Sequence, residues 1–308
     1  MTKFVAALSS LLLLLIQLDC SEGLALFSTK PPIRRTLTLW AQSQPSSSTS
    51  TPRLSQQTLQ QLDNQGYAII QNFIPQNLID NLRADVLQLR SAGRFKIAGV
   101  GQDNSNAVVD SIRRAETCFI NGNNHADIKS DARNQLYTIL NQARLDLSQH
   151  CSSRGISRLD AKLDELLYAY YPLGGYYKRH IDAVPYSPSY LRQYSFLLYL
   201  NASDWDIANL GGALRIYLEN NENKSEHDHI DVPPCGGTML VFDSANIPHQ
   251  VMDTAAERMA VVGWYNRAVT PADIPLISPQ QDGLPRTAML VVAAALVTVG
   301  LAQIIATV

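Results

Sequence analysis

Three His-x-Asp triplets stand in this chain: His125-Ala126-Asp127, His180-Ile181-Asp182 and His229-Ile230-Asp231. Side chains at i and i+2 of a β-strand leave the same face, so each triplet offers one ion an imidazole and a carboxylate. A second imidazole completes a set that grips one face of an octahedral metal and leaves the other open, the requirement of non-haem Fe(II) oxygen chemistry. A lone triplet is weak evidence, and the surroundings separate the three. His125 lies in an Asn-rich stretch before a helix, where a surface or capping role suffices. His229 sits beside His227 and Asp228, too close to His249 to leave room for strands that bring a third ligand around a barrel. His180 follows an aromatic strand-like run, and several β-like segments intervene before His249. The expected metal ligands are therefore His180, Asp182 and His249.

Pro248-His249-Gln250-Val251 is soon followed by Glu257-Arg258-Met259-Ala260-Val261. Residues 249–253 and 258–265 are expected to pair as a hairpin around Thr254-Ala255-Ala256, turning Arg258 inward near His249. An arginine inside an apolar barrel needs an anion, because a buried unpaired charge is very costly. A dicarboxylate such as 2-oxoglutarate supplies one, and a guanidinium binds it as a bidentate fork. The plainer alternative is a surface ion pair from Arg258 to Asp253 or Glu257.

These groups need a scaffold, and the pattern predicts one folded unit over about 56–270. Residues 66–70 read as a short strand and 77–91 as a helix, with Leu78, Ile79, Leu82, Val86 and Leu89 at helical spacing. Residues 97–111, rich in Gly, Asn, Asp and Ser, read as a loop. Residues 114–120 read as a strand, and 128–150 as a helix with Leu136, Ile139, Leu140 and Ala143 on one side. Short β-like segments then follow at 163–171, 176–182, 194–200, 214–218, 238–242, 250–252 and 259–265, punctuated by Gly-Gly and Pro-Pro pairs. Strands after helices predict an α+β fold: a jelly-roll (double-stranded β-helix) core over 161–268, with a helical support region over 56–160.

The chain has 308 residues, 46% hydrophobic, with net charge -2. That argues against an electrostatic nucleic-acid binder, which needs a basic surface. Cys20, Cys118, Cys151 and Cys235 lie far apart, so neither a zinc site nor a disulfide framework is indicated. Residues 1–25, with Lys3 before an apolar run, predict a secretory signal peptide or, alternatively, a signal anchor. Residues 26–55 are rich in Ser, Thr and Pro and lack acidic residues, as in a disordered linker or a transit-like segment. The two possible destinations are the secretory pathway (endoplasmic reticulum) and a plastid reached through a bipartite leader. After a linker at 269–287, residues 288–308 are apolar except for Thr298, Gln303 and Thr307. About 20 such residues span a bilayer core as a transmembrane helix, which would make the protein membrane-associated.

Tyr171-Pro172, Tyr177-Lys178-Arg179-His180-Ile181-Asp182, Tyr199-Leu200-Asn201, Asp204-Trp205, Gly211-Gly212-Ala213-Leu214-Arg215-Ile216-Tyr217, His249 and Arg258 stand in one order. The ordered set resembles the prolyl 4-hydroxylase-type Fe(II)/2-oxoglutarate-dependent dioxygenases, nearest to the hypoxia-sensing prolyl hydroxylases and their microbial relatives, over roughly 60–267. The resemblance implies that Fe(2+) is held by His180, Asp182 and His249, with Arg258 clamping the far carboxylate of 2-oxoglutarate. It places Tyr199 on that carboxylate and Tyr171, or Tyr170 in its stead, on the co-substrate. Tyr177, Phe119 and Trp264 fall at substrate-pocket aromatics and Arg113 at an entrance arginine. It further implies O2 as oxidant, L-ascorbate as support, and a protein or peptide substrate hydroxylated at a prolyl residue. The competing function is a catalytically inactive jelly-roll module that binds peptide while tethered to a membrane. Two departures bear on the substrate: Ala115 replaces an acidic residue beside the entrance arginine, and Phe119 replaces a Trp. The Tyr171-to-His180 segment is also one residue short.

Overall fold

The computed structural model describes residues 51–100, 107–122, 124–218 and 229–271, with Asp273 and Leu276. Residues 1–25, most of 26–55, most of 269–287 and all of 288–308 lie outside the described residues, so the leader and membrane-helix expectations concern segments not described here. Among the described residues, no helix is long and apolar enough to cross a membrane.

Helix α1 (Gln56–Gln65) begins where the Ser55 hydroxyl accepts the Thr58 N–H, and ends at Gly66, whose φ of 77° suits glycine. Strand β1 (Tyr67–Ile70) and helix α2 (Gln76–Ser91) follow. Next come the short strands β2 (Lys96–Ile97), β3 (Arg113–Arg114) and β4 (Glu116–Phe119), then helix α3 (Asp131–Ser153). The rest is mostly strand: β5 (Leu166–Tyr171), β6 (Tyr176–His180), β7 (Arg192–Tyr199), β8 (Leu214–Tyr217), β9 (His229–Val232), β10 (Met239–Asp243), β11 (His249–Val251) and β12 (Arg258–Asn266). A short helix, α4 (Ile207–Leu210), precedes β8.

Two antiparallel sheets result, a major one ordered β1-β10-β7-β12-β5-β4-β2 and a minor one ordered β3-β6-β11-β8-β9. The alternation of a strand sorts each major-sheet residue to one of two cores. Tyr168, Tyr170, Phe196, Leu198, Met259 and Val261 pack with the helices. Leu167, Ala169, Tyr171, Leu197, Tyr199 and Ala260 join the core that holds Leu214, Ile216 and Val251 of the minor sheet. This helix-backed sandwich of short antiparallel strands is the jelly-roll core expected.

The hairpin expected at 249–265 does not form. β11 pairs with β6 and β8 in the minor sheet, whereas β12 pairs with β5 and β7 in the major one. Two β-like runs with a short gap look like a hairpin, but pairing partners are set by the tertiary fold. The strand expected at 114–120 likewise splits at Ala115, with β3 pairing β6 and β4 pairing β5. Polar composition hid two elements. In α1 only Leu59 and Leu62 are buried, and β9 reads His-Ile-Asp-Val as the edge of its sheet.

Candidate functional site

His180 is the last residue of β6 and His249 the first of β11, and the two are cross-strand partners. Asp182 lies two residues beyond the end of β6 rather than on the strand, its N–H donating to the Ser244 carbonyl at 3.1 Å. One ligand atom from each of the three residues lies within 4.8 Å of the other two. The Asp182 oxygens sit 3.5 Å from His180 Nε2 and 3.6 Å from His249 Nε2. Among the described residues this is the one such cluster.

The polar groups around the three side chains aim them. His180 Nδ1 lies 2.7 Å from the Lys178 carbonyl and His249 Nδ1 lies 3.0 Å from the Ile247 carbonyl. A carbonyl only accepts, so each imidazole carries its proton on Nδ1 and turns a bare Nε2 toward the shared centre. Ser195 Oγ donates to Asp182 Oδ2 at 2.7 Å and meets Ser244 Oγ at 2.8 Å. Burial, then the neighbouring His180, pushes His249 down to about 4. Burial raises the Asp182 carboxyl, but the imidazoles of His249 and His180 and the Arg192 guanidinium outweigh it and hold the carboxyl well below its usual range. Both directions favour the forms a cation needs: a neutral imidazole and an anionic carboxylate.

Arg258, at 0% exposure, reaches into the same core from the opposite sheet. Its Nε donates to the Gly212 carbonyl at 2.9 Å, while Nη1 and Nη2 are buried without a partner. The Tyr199 hydroxyl is also buried without a partner, and burial pushes its pKa up to about 12. The guanidinium lies 4.9 Å from the Tyr171 ring centroid and 5.2 Å from that of Tyr199. Two guanidinium nitrogens and a phenol, all donors left open where water is excluded, form a receptor for a carboxylate. The surface ion pair to Asp253 or Glu257 is excluded by burial, and Glu257 accepts the Tyr170 hydroxyl instead. That bond, and the packing of Tyr170 with the helices, also removes Tyr170 as a stand-in for Tyr171.

A cavity of about 220 Å³ opens over the triad, lined among others by Arg113, Phe119, Tyr171, Tyr177, Arg192 and Trp264. Tyr177 reaches it through an irregularity. Tyr177 and His180 are three apart and on a regular strand would face opposite ways. The register pairs His249 with His180 but Val251 with Tyr177, so Lys178 and Arg179 together face Gln250 alone. This bulge brings both side chains inward, and their rings stack at 3.7 Å.

Three contributors escaped the sequence reading. Arg192 donates to the Asp182 carbonyl at 3.1 Å and lies 3.9 Å over the Trp264 ring. Ser195 and Ser244 support the Asp182 carboxylate. Strand alternation back from Tyr199 already put Ser195 on the inward face, which was the available signal. The other triplets take different parts: His125 bonds the Phe119 carbonyl and Asp127 pairs with Arg94, while Asp231 pairs with Arg215.

Residues 166–266 match the 2OG-Fe(II) oxygenase superfamily. Egl nine homolog 1 of Mus musculus is 26% identical over 207 residues, covering 66% of this chain and 47% of its own length. The chain spans about half the length of the curated relatives it matches. A Pseudomonas putida prolyl-4-hydroxylase superposes with a TM-score of 0.55 at 28% identity, over 68% of this chain and 98% of that one. A Trichoplax adhaerens prolyl hydroxylase, solved with a hypoxia inducible factor oxygen degradation domain peptide fragment, gives 0.56 at 28% identity, over 68% and 87%.

Proposed function

We propose that this chain, a 2OG-Fe(II) oxygenase of the prolyl hydroxylase type, hydroxylates a C–H bond of a protein or peptide, with a prolyl residue as target. The observation that carries the reading is the set of unpartnered donors on Arg258 and Tyr199, set deep in the core that also holds the His180–Asp182–His249 cluster. Those donors would take one carboxylate of a dicarboxylate such as 2-oxoglutarate. The relative solved with a peptide fragment supports a peptide substrate.

Bound Fe(II) and 2-oxoglutarate supply the oxidising power, converting C–H, O2 and 2-oxoglutarate to C–OH, succinate and CO2. The chain's own residues bind and orient. His180, Asp182 and His249 would hold the metal, and the carbonyls of Lys178 and Ile247 fix the imidazole tautomers. Ser195 donates to Oδ2 of Asp182 and so fixes the orientation of the carboxylate. Arg258 would neutralise the far carboxylate of the co-substrate and Tyr199 would help orient it, with Tyr171 beneath the guanidinium. Buried Leu214 and Val251 keep water from the centre. L-ascorbate as a supporting reductant, the membrane anchor at 288–308, and delivery to the secretory pathway or a plastid belong to the same proposal, resting on the sequence alone.

The test uses the full chain with Fe(II) and 2-oxoglutarate under anaerobic conditions. A weak visible metal-to-ligand charge-transfer band is expected, lost in His249→Ala. Admission of O2 then yields succinate, more with a prolyl peptide than without. Absence of the band in the parent chain counts against the reading.

A further inference from the structure

Two cations, Arg113 and Lys96, stand at the cavity mouth beside Arg192. Arg192 is paired with Glu165. Among the described residues Arg113 has no such partner: Nη1 reaches the Gly99 carbonyl at 3.3 Å, and Nε is buried without a bond. Its guanidinium lies 4.5 Å over the Tyr177 ring, a partial compensation that leaves its hydrogen-bonding edge unused. Lys96 is exposed and pairs across from Thr117, which lines the cavity, so Lys96 emerges on the same face of its sheet. Glu116 is turned away and held by Arg90. Ala115, two residues from Arg113, is buried and apolar and offers Arg113 nothing. The chain as a whole is slightly acidic, so this cationic rim is local.

We propose that Arg113, seconded by Lys96, reads a carboxylate on the substrate, so that the site takes a peptide with Asp or Glu close to the residue it hydroxylates. The stacking sets the spacing. Arg113 lies over Tyr177 at 4.5 Å, and Tyr177 stacks on His180 at 3.7 Å, which places the guanidinium two ring contacts from the metal-binding imidazole. An extended peptide advances ~3.3 Å per residue, so the acidic side chain belongs about two or three positions from the target. The identification of the peptide as substrate rests on the oxygenase reading; recognition of the carboxylate does not.

The experiment loads the full chain with Fe(II) and 2-oxoglutarate without O2. It then retains peptides from a pool of proline-centred octapeptides randomised at the flanking positions. Asp and Glu are expected to be enriched about tenfold over Asn and Gln two or three positions from proline, a difference of a size that one charged contact supplies. Arg113→Gln removes the enrichment. Arg113→Glu turns it toward Lys and Arg, a gain that a misfolded chain cannot give. Retention of no peptide, retention without acidic preference, or a preference undiminished in Arg113→Gln each overturns the proposal. The charge-transfer band, measured with no peptide present, reports on the oxygenase reading separately.

Discussion

The two faces of the major sheet bury the same residue types and treat them differently. Toward the helices the buried tyrosine hydroxyls of the sheet are all bonded. The hydroxyl of Tyr168 donates to Asp85, that of Tyr170 to Glu257 and that of Tyr265 to the Leu140 carbonyl, while Arg133 of α3 pairs with Asp85. Toward the minor sheet, Tyr199 and Arg258 are as deeply buried and keep donors with no partner. Buried polar groups are almost always satisfied, and on the helix side the described exceptions, Asp85 Oδ1 and Arg133 Nε, belong to two residues that form an ion pair with each other. The other side is finished only by something that arrives from outside. A binding site can thus be found within a fold by its incomplete hydrogen bonding.

The largest test of that contrast is at the metal. Support groups around a metal ligand are worth about 10–100-fold in affinity, so removing a ligand itself should exceed that. His249→Ala is expected to lower Fe(II) affinity more than about a hundredfold, read by metal titration. Next comes a pair of arginines. Arg258→Met should raise the KM for 2-oxoglutarate about a hundredfold while the thermal midpoint of the ligand-free chain holds or rises, because an unpartnered buried charge is exchanged for an apolar side chain. Arg133→Met strands the buried Asp85 carboxylate and should cost about 3–5 kcal/mol of stability with no change in KM. Equal destabilisation by both variants would erase the distinction between the faces. Smaller again is Ser195→Ala, which takes the 2.7 Å hydrogen bond from Asp182 Oδ2. It should weaken Fe(II) binding about tenfold, with Ser195→Thr restoring it.

How much of this was readable from sequence depended on the kind of information each feature needs. His180, Asp182, His249 and Arg258 stood out because few residue types do their chemistry and their order along the chain is constrained. The expectation that they would meet needed only one sandwich. How they meet needed more. Arg258 reaches the site from the sheet opposite His249, not from a hairpin with it, because a gap such as 252–257 can turn back within one sheet or cross to the other. Tyr177 faces the cavity through a bulge at Lys178 and Arg179 that strict alternation forbids. Arg192 left no local signal, since its role comes from meeting Asp182, Glu165 and Trp264 at once.

The smallest expected effect is the sharpest comparison, because it removes one oxygen atom from each face. Tyr265→Phe deletes a hydroxyl that donates to the Leu140 carbonyl at 2.9 Å in the helix-side core. A neutral buried hydrogen bond is worth about 0.5–1.5 kcal/mol, so the ligand-free chain should lose about that much stability, while the KM for 2-oxoglutarate stays put. Tyr199→Phe deletes a buried hydroxyl that makes no hydrogen bond of normal geometry, the Arg258 guanidinium being its polar neighbour. The ligand-free chain should therefore be as stable as before or slightly more so. The loss should appear only with the co-substrate, as a KM raised by a factor of a few to ten, the same energy read as an equilibrium constant. Denaturant melts with and without 2-oxoglutarate separate the two outcomes. If Tyr199→Phe destabilises the ligand-free chain as Tyr265→Phe does, its hydroxyl already has a partner, and the open donors beside Arg258 are not a receptor.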